Sequence, residues 1–305
     1  MDGVPGLSFA GIRPGETYVY HFKAVQSGTY WYHSHSGYQE QTGMYGSIVI
    51  EPRNTDPVRY DRDHVVLLSD WSDERPEAIY AKLKKMSHYY NTRERTLGDF
   101  TAEVSKNGLS QAVSDRAMWN QMRMSDRDIS DVTGWTYTYL TNGQTPNQGW
   151  EGVFKPGERV RLRIINASAM TFFDVRIPGL KMEVIASDGQ NIRPVKGIDE
   201  FRIGVAETYD VIVQPAAGAY TFFAQAIDRS GYARGTLTSQ PGQKAAVPTL
   251  DSMPTLTHGD MGMGGTMGSM DDMAGMDHSK MGHDMAEMDG SMMTPSGDVD
   301  IKPGP

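Results

Sequence analysis

Alternation of apolar and polar positions with a period of two dominates the hydrophobic pattern of this chain. Thr17–Phe22 is aromatic and β-branched, Gly28–Tyr32 follows after a polar turn, and Gly46–Glu51 is a short apolar run stopped by Pro52. Bounded by Gly, Pro and Ser, these segments predict strands. A Pro/Asn/Asp-rich linker over 53–63 precedes a further strand, His64–Trp71. The pattern resumes between about 133 and 239, with strands predicted at Tyr137–Leu140, Val160–Ile165, Phe173–Ile177, Tyr209–Val213 and Tyr220–Phe223. Turns such as Pro156-Gly157 and Asp188-Gly189 separate them, and several short strands at this spacing predict an all-β sandwich.

Two stretches depart from that period. After Pro76, the apolar positions Ala78, Ile79, Leu83 and Met86 form one helical stripe, with proline suited to a first turn, and a weaker helical pattern covers Leu109–Met122. Both fall in an insertion at about 76–125. Beyond residue 245 neither period survives. Residues 253–293 hold 12 of the chain's 20 methionines together with His258, His278 and His283, diluted by Gly, Asp and Ser, which predicts a low-complexity, disordered tail.

Charge follows the same division. Of the net −9, residues 251–305 contribute 10 acidic against 2 basic side chains, leaving 28 against 27 in the first 250. A chain without a basic footprint is not built for nucleic acid, and the acidic tail points to cations or to solubility. No run approaches the roughly 20 apolar residues of a membrane span. Met1–Gly6 has neither the charged segment nor the apolar run of a secretory signal. Cysteine is absent, which removes disulfides, thiolate metal sites and cysteine nucleophiles together.

The densest candidate chemistry is Trp31-Tyr32-His33-Ser34-His35-Ser36-Gly37. Residues two apart on a strand face one side, so His33 and His35 project together. Two imidazoles so placed can bind one metal ion or bridge a pair, and they can equally be two histidines sharing a strand edge. His21, His64 and His88 have no partner at ligand spacing and are expected to be structural or superficial. Asn166-Ala167-Ser168 fits a glycosylation acceptor but sits at an expected strand end, Gly264-Gly265 lacks the context of a phosphate loop, and Asp126, Asp128 and Asp131 lack the glycine and final glutamate of a calcium loop, so the aspartates are expected to cap or solvate a loop.

The longer run Gly28–Gly46, with its Gly-Thr-x-Trp-Tyr-His-x-His core followed by Gln39 or Gln41 and Gly43-Met44-Tyr45-Gly46, resembles the second copper-binding motif of multicopper oxidases. Met1–Gly6 resembles the segment after that family's first motif. Tyr139–Gly143 and Phe154–Asn166 resemble its second cupredoxin-like domain, and Pro178–Met182 with Asp188-Gly189-Gln190 points to the bacterial copper-resistance branch. The resemblance spans essentially the whole chain. It implies cupredoxin-like Greek-key β-sandwich domains: a truncated first one over 1–55, a second over 56–245 carrying the helical insertion, and the tail over 246–305.

The resemblance further implies that His33 and His35 each hold a different copper of the binuclear pair within a trinuclear cluster. The complete enzyme would oxidise Cu(I) or another reductant and reduce dioxygen to water, in the periplasm, in the service of copper resistance. The first histidine motif is expected just before Met1, and the third and fourth in a C-terminal domain. The fourth motif includes the cysteine of a blue copper site, so this polypeptide is expected to be inactive alone. In the tail, thioether and imidazole donors suit Cu(I) and Cu(II). Met261, Met263, Met267, Met270, Met273, Met276, His278, Met281, His283, Met285 and Met288 are therefore expected to bind copper, the bland alternative being a solvated spacer. A non-enzymatic copper-binding or storage protein is the alternative reading of the chain as a whole.

Overall fold

A computed structural model describes residues 6–8, 10–91, 93–122, 124–127, 135–253 and 255–256. The elements, in chain order, are β1 (Gly28–His33), β2 (Tyr45–Ile50), β3 (Arg62–Trp71), α1 (Pro76–Leu83), α2 (Leu97–Asn107), α3 (Leu109–Met122), β4 (Thr138–Thr141), β5 (Trp150–Val153), β6 (Val160–Asn166), β7 (Phe173–Arg176), β8 (Met182–Ser187), β9 (Gln190–Ile198), β10 (Glu200–Ile203), β11 (Thr208–Val213), β12 (Ala219–Ala226) and β13 (Tyr232–Thr238). The strands form a six-stranded sheet ordered β4-β3-β6-β11-β8-β9, a five-stranded sheet ordered β10-β7-β12-β13-β5, and the two-stranded β1-β2 ribbon. The β3/β6 and β13/β5 pairs are parallel and the other pairings antiparallel.

The two larger sheets bury one core between them. Val66 and Leu68 of β3, Leu162 and Ile164 of β6 and Val211 and Val213 of β11 meet Phe173, Val175, Phe222 and Leu237 from the opposing sheet. Alternation places the intervening side chains on the other face of the six-stranded sheet. There Leu67, Ile165 and Ala167 form a second apolar cluster, covered by Trp31 of β1 and Tyr45 of β2. Strand β6 is consequently buried along its whole length, with Arg161 and Arg163 on the same outer face as Ile165. Burial on both faces is unusual for a strand that carries two arginines, and it is made possible by the carboxylates that meet them, described below.

The β1-β2 ribbon is thus docked on the outside of the sandwich, and it is this docking that positions the site. A polar network ties it down. Thr29 Oγ1 donates to Asp210 Oδ1 at 2.7 Å, Arg163 Nη1 donates to Thr29 Oγ1 at 3.1 Å, and Thr208 Oγ1 donates to the Thr29 carbonyl at 3.1 Å. The fit is close at Gly28 (φ +147°), where a Cβ would fall on the carbonyl oxygen of Gly189 in the β8–β9 turn. Gly189 (φ +74°) follows Asp188 (φ +47°), and this left-handed pair makes the Asp188-Gly189 turn foreseen from sequence.

The helical insertion is present. Helix α1 begins at Pro76 as predicted but ends at Leu83, leaving Met86 beyond it, and α3 covers the expected Leu109–Met122. Helix α2 was not foreseen. Its signal is a capping box in which Thr96 accepts from the Asp99 backbone amide while Asp99 accepts from that of Thr96. One expected strand is absent: Thr17–Phe22 belongs to no ladder, and Tyr18, Val19, Tyr20 and Phe22 are exposed. Strand composition favours an extended chain, but a strand exists only where a neighbour supplies the hydrogen bonds, and among the described residues none lies alongside. No described helix is long and apolar enough to cross a membrane. Of the tail expected to be disordered from 246 on, residues 246–253 and 255–256 are described, and there the Thr221 hydroxyl donates to the Ala246 carbonyl at 2.7 Å and the Asp251 amide to Gln225 Oε1 at 3.1 Å; from 257 on, the expectation falls outside the described residues.

Candidate metal centre

Strand β1 places Thr29, Trp31 and His33 on the face that meets the sandwich, and Tyr30 and Tyr32 on the other. Thr29 is buried in the network above, Trp31 packs on the second apolar cluster, and His33 stacks on Trp31 with centroids 4.1 Å apart and planes at 15°. The next member of the series, His35, lies just past the strand end. Its Nε2 is 3.3 Å from Nε2 of His33, the rings tilted by 51°. The structure therefore brings the two histidines together through the nitrogens most remote from the backbone, on a surface accessible to solvent.

The loop 34–44 that follows is closed by its own hydrogen bonds. The Ser34 amide donates to the Met44 carbonyl at 3.1 Å, the Met44 amide to that of Gln39 at 2.9 Å, and Ser34 Oγ to Gln39 Oε1 at 2.6 Å. Gly37 (φ +56°) and Gly43 (φ +100°) take the left-handed conformations the closure needs. The loop also touches the body of the fold. Gln41 Nε2 donates to the Asp70 carbonyl at 3.4 Å, Tyr137 OH donates to Gln41 Oε1 at 3.3 Å, and Tyr38 lies 5.8 Å from Tyr80 of α1. Glu40 lies within the Gly28–Gly46 run, where the sequence pattern gives it no part. In the structure its Oε1 is 3.0 Å from Nδ1 of His33, although the angle is not that of a hydrogen bond and Nδ1 is buried without one.

Beneath this loop Asp70, at the end of β3, is buried and accepts from the amides of Ala169, Met170 and Thr171 at 3.0, 3.2 and 3.2 Å and from Thr171 Oγ1 at 2.8 Å. Burial pushes its carboxyl above the usual range, against the pull of these four donors. The other described histidines are not brought to the pair. His64 is half-buried against the edge of Trp150 and donates from Nε2 to the Val153 carbonyl at 3.1 Å; burial lowers its pKa, as suits a neutral structural ring. His21 is exposed and lies outside any strand, and His88 falls between α1 and α2.

Among the described residues no group of three or more His, Cys, Asp or Glu is disposed to hold a metal. The glycosylation pattern at Asn166 is buried, its amide donating to the carbonyls of Thr171, Ile203 and Gly204. Asp126, expected to cap or solvate a loop, is instead buried and ion-paired with Arg95 at 2.8 Å, while Asp128 and Asp131 lie outside the described residues. The tail donors from Met261 to Met288, and Gly264-Gly265, lie outside them too.

A two-sheet β sandwich bearing an outer ribbon with paired imidazoles is the setting in which comparison with known proteins becomes informative. A family model described as multicopper oxidase matches residues 62–245, and a second model of the same description matches 1–55. The chain belongs to the multicopper oxidase family, and its fold is cupredoxin-like. It is 60% identical over 302 residues to copper resistance protein A of Escherichia coli, covering 97% of this chain and 49% of that one. The copper resistance protein A homologue of Pseudomonas syringae pv. tomato is 60% identical over 93% of this chain and 46% of its own. Among solved structures, laccase from Botrytis aclada superposes with a TM-score of 0.55 at 26% identity, over 83% of this chain and 42% of that one. The chain thus spans about half the length of these named relatives.

Copper is the cofactor this membership implies. The donor set fits it on chemical grounds, since imidazole nitrogen is a good ligand for copper in either common oxidation state and two such nitrogens already converge. The chain contains no cysteine, so its own residues cannot build a thiolate-bound copper site.

Proposed function

We propose that this chain contributes His33 and His35 to the copper cluster of a multicopper oxidase that acts in copper resistance in the periplasm. The observation that carries the reading is the convergence of the two Nε2 atoms, 3.3 Å apart, at the end of a strand anchored in the sandwich. The identity to copper resistance protein A supports the branch. Each histidine would hold one copper of the binuclear pair. When bound, copper supplies electron transfer from a reductant, Cu(I) or another, to dioxygen, which leaves as water.

The part of this chain's own residues is positional. Trp31 fixes the plane of His33 by stacking, the closed loop fixes His35, and the buried contacts of Thr29 fix the height of β1 above the sheet. Rotamer freedom that would be lost on metal binding is thereby removed during folding. The division into a first unit over 1–55 and a second over 56–245 belongs to the same proposal, with β1 and β2 as the part of the first that meets the second. So does copper capture by the tail methionines and histidines.

Copper titration of the purified chain, alongside His33→Ala and His35→Ala, tests the reading. Loss of one class of Cu(II) site in each variant is expected, without the intense blue absorption of a copper–thiolate centre and without oxygen uptake when Cu(I) is supplied. Unchanged Cu(II) binding in both variants would remove the histidine pair from the site. Sustained oxygen uptake by the chain alone would show that a complete cluster forms by a route other than the one proposed.

A further inference from the structure

We propose that Glu40 is the positioning residue for His33, a part played by a carboxylate acting on the ring nitrogen opposite the metal. The inference rests on the reading of His33 as a metal ligand and deepens it. Nε2 of His33 faces His35, so the metal-binding side of the ring is defined, and Glu40 Oε1 lies 3.0 Å from the other nitrogen, Nδ1. That nitrogen is buried and makes no hydrogen bond in the present ring orientation. A buried ring nitrogen beside a carboxylate is an unmet donor with an acceptor at hand. A small rotation of either side chain brings the Nδ1 proton onto Oε1.

Glu40 is well held for that purpose. Its carbonyl accepts from the Gly43 amide at 3.0 Å within the closed loop, and its neighbour Gln41 is tied to Asp70 and Tyr137. Both side chains of the pair are 27% exposed, so water competes only in part. The hydrogen bond would place the His33 proton on Nδ1, leave the Nε2 lone pair free toward the metal, and make that nitrogen a stronger donor. Such outer carboxylates typically change metal affinity by 10–100-fold.

Cu(II) affinity, measured by competition with a chromophoric chelator on the full chain and its Glu40→Ala, Glu40→Gln and His33→Ala variants, provides the test, together with the electron paramagnetic resonance spectrum of the bound ion and the thermal midpoint. Glu40→Ala is expected to weaken binding by about 10–100-fold and to shift the Cu(II) spectrum, with an unchanged thermal midpoint. Glu40→Gln keeps an acceptor oxygen at the same reach and is expected to recover part of the loss, which general destabilisation would not allow. Wild-type affinity and spectrum in both Glu40 variants, with binding still lost in His33→Ala, overturn this inference while leaving His33 as a ligand. Wild-type affinity in His33→Ala overturns the underlying reading instead.

Discussion

Thr29 and Asp210 are 181 positions apart in the chain, yet the threonine hydroxyl donates to the carboxylate at 2.7 Å and both side chains are buried. Asp210 also accepts from Arg161 at 3.2 Å through Nε and at 2.5 Å through Nη2, and Arg161 reaches on to Asp56 at 2.7 Å. Arg163 pairs with Asp63 at 2.8 Å and with Thr29 at 3.1 Å. One hydroxyl from β1 therefore completes a buried network belonging to β3, β6 and β11.

Replacement of Thr29 by valine keeps the shape and deletes the donor, leaving Asp210 Oδ1 buried without it. The expected loss is about 2 kcal/mol, the usual cost of leaving a buried polar group unsatisfied. Thr29→Ser, which keeps the hydroxyl, is expected to lose less. Chemical denaturation of the three proteins measures the difference. A Thr29→Val variant as stable as the wild type would mean that water enters and replaces the hydroxyl.

Asp70 presents a different kind of buried carboxylate. Among the described residues it has no ion-pair partner and is held by three backbone amides and one hydroxyl, all from 169–171. Removing it in Asp70→Ala strands those amides, and destabilisation of about 3 kcal/mol is expected. The main-chain carbonyl at position 70, which accepts from Gln41, is kept in this variant, so hydrogen exchange is expected to quicken at 169–171 while the loop 36–44 keeps its protection. Exchange quickened in the loop as well would show that the loop leans on the Asp70 carboxylate and not only on the carbonyl.

Much of this was legible in the sequence, and the boundary has physical causes. Val160–Ile165 was readable as a strand because alternation put Val160, Leu162 and Ile164 on one face, but only the structure shows that Arg161 and Arg163 on the other are buried as well. Strand β13 falls within the 133–239 stretch read as β but was not singled out, because Arg234 and Gly235 interrupt its apolar run; the gap at Gly235 is filled from a neighbouring strand by the Trp150 ring. The approach of His33 and His35 was expected from the period of a strand. Glu40 was not, because its approach to His33 is made by a loop reversing at Gly37 and Gly43, and no periodicity encodes that. Thr17–Phe22 failed in the opposite sense, having the composition of a strand and no ladder.

His64 links stability to pH. Its pKa is lowered from 6.5, chiefly by burial, with the hydrogen bond to Val153 opposing. Below 6.5 the unfolded chain therefore takes up a proton that the folded one resists, and stability falls as pH drops through that value. Nearby Glu158, held down to about 2 by Arg62 and the Lys155 amide, adds its own loss of stability mainly below pH 5, as the unfolded carboxylate begins to take up its proton. Between pH 7 and pH 5, His64→Gln is expected to flatten the dependence of unfolding free energy on pH. An unchanged slope would place the titration elsewhere.

The tail and the histidine pair should answer to different copper. Thioether sulfur is neutral and soft, so it favours Cu(I), whereas imidazole serves both oxidation states. Substituting leucine for Met261, Met263, Met267, Met270, Met273, Met276, Met281, Met285 and Met288 keeps length, bulk and the acidic charge while deleting every one of those sulfurs. Cu(I) capacity is expected to fall by several equivalents, while the Cu(II) site that depends on His33 is retained. His278 and His283 remain in this variant and account for residual binding. If Cu(I) capacity survives intact, the acidic side chains or these histidines hold the metal and the methionines serve only to fill the chain; if the His33-dependent Cu(II) site is lost as well, the tail and the pair do not act as separate sites.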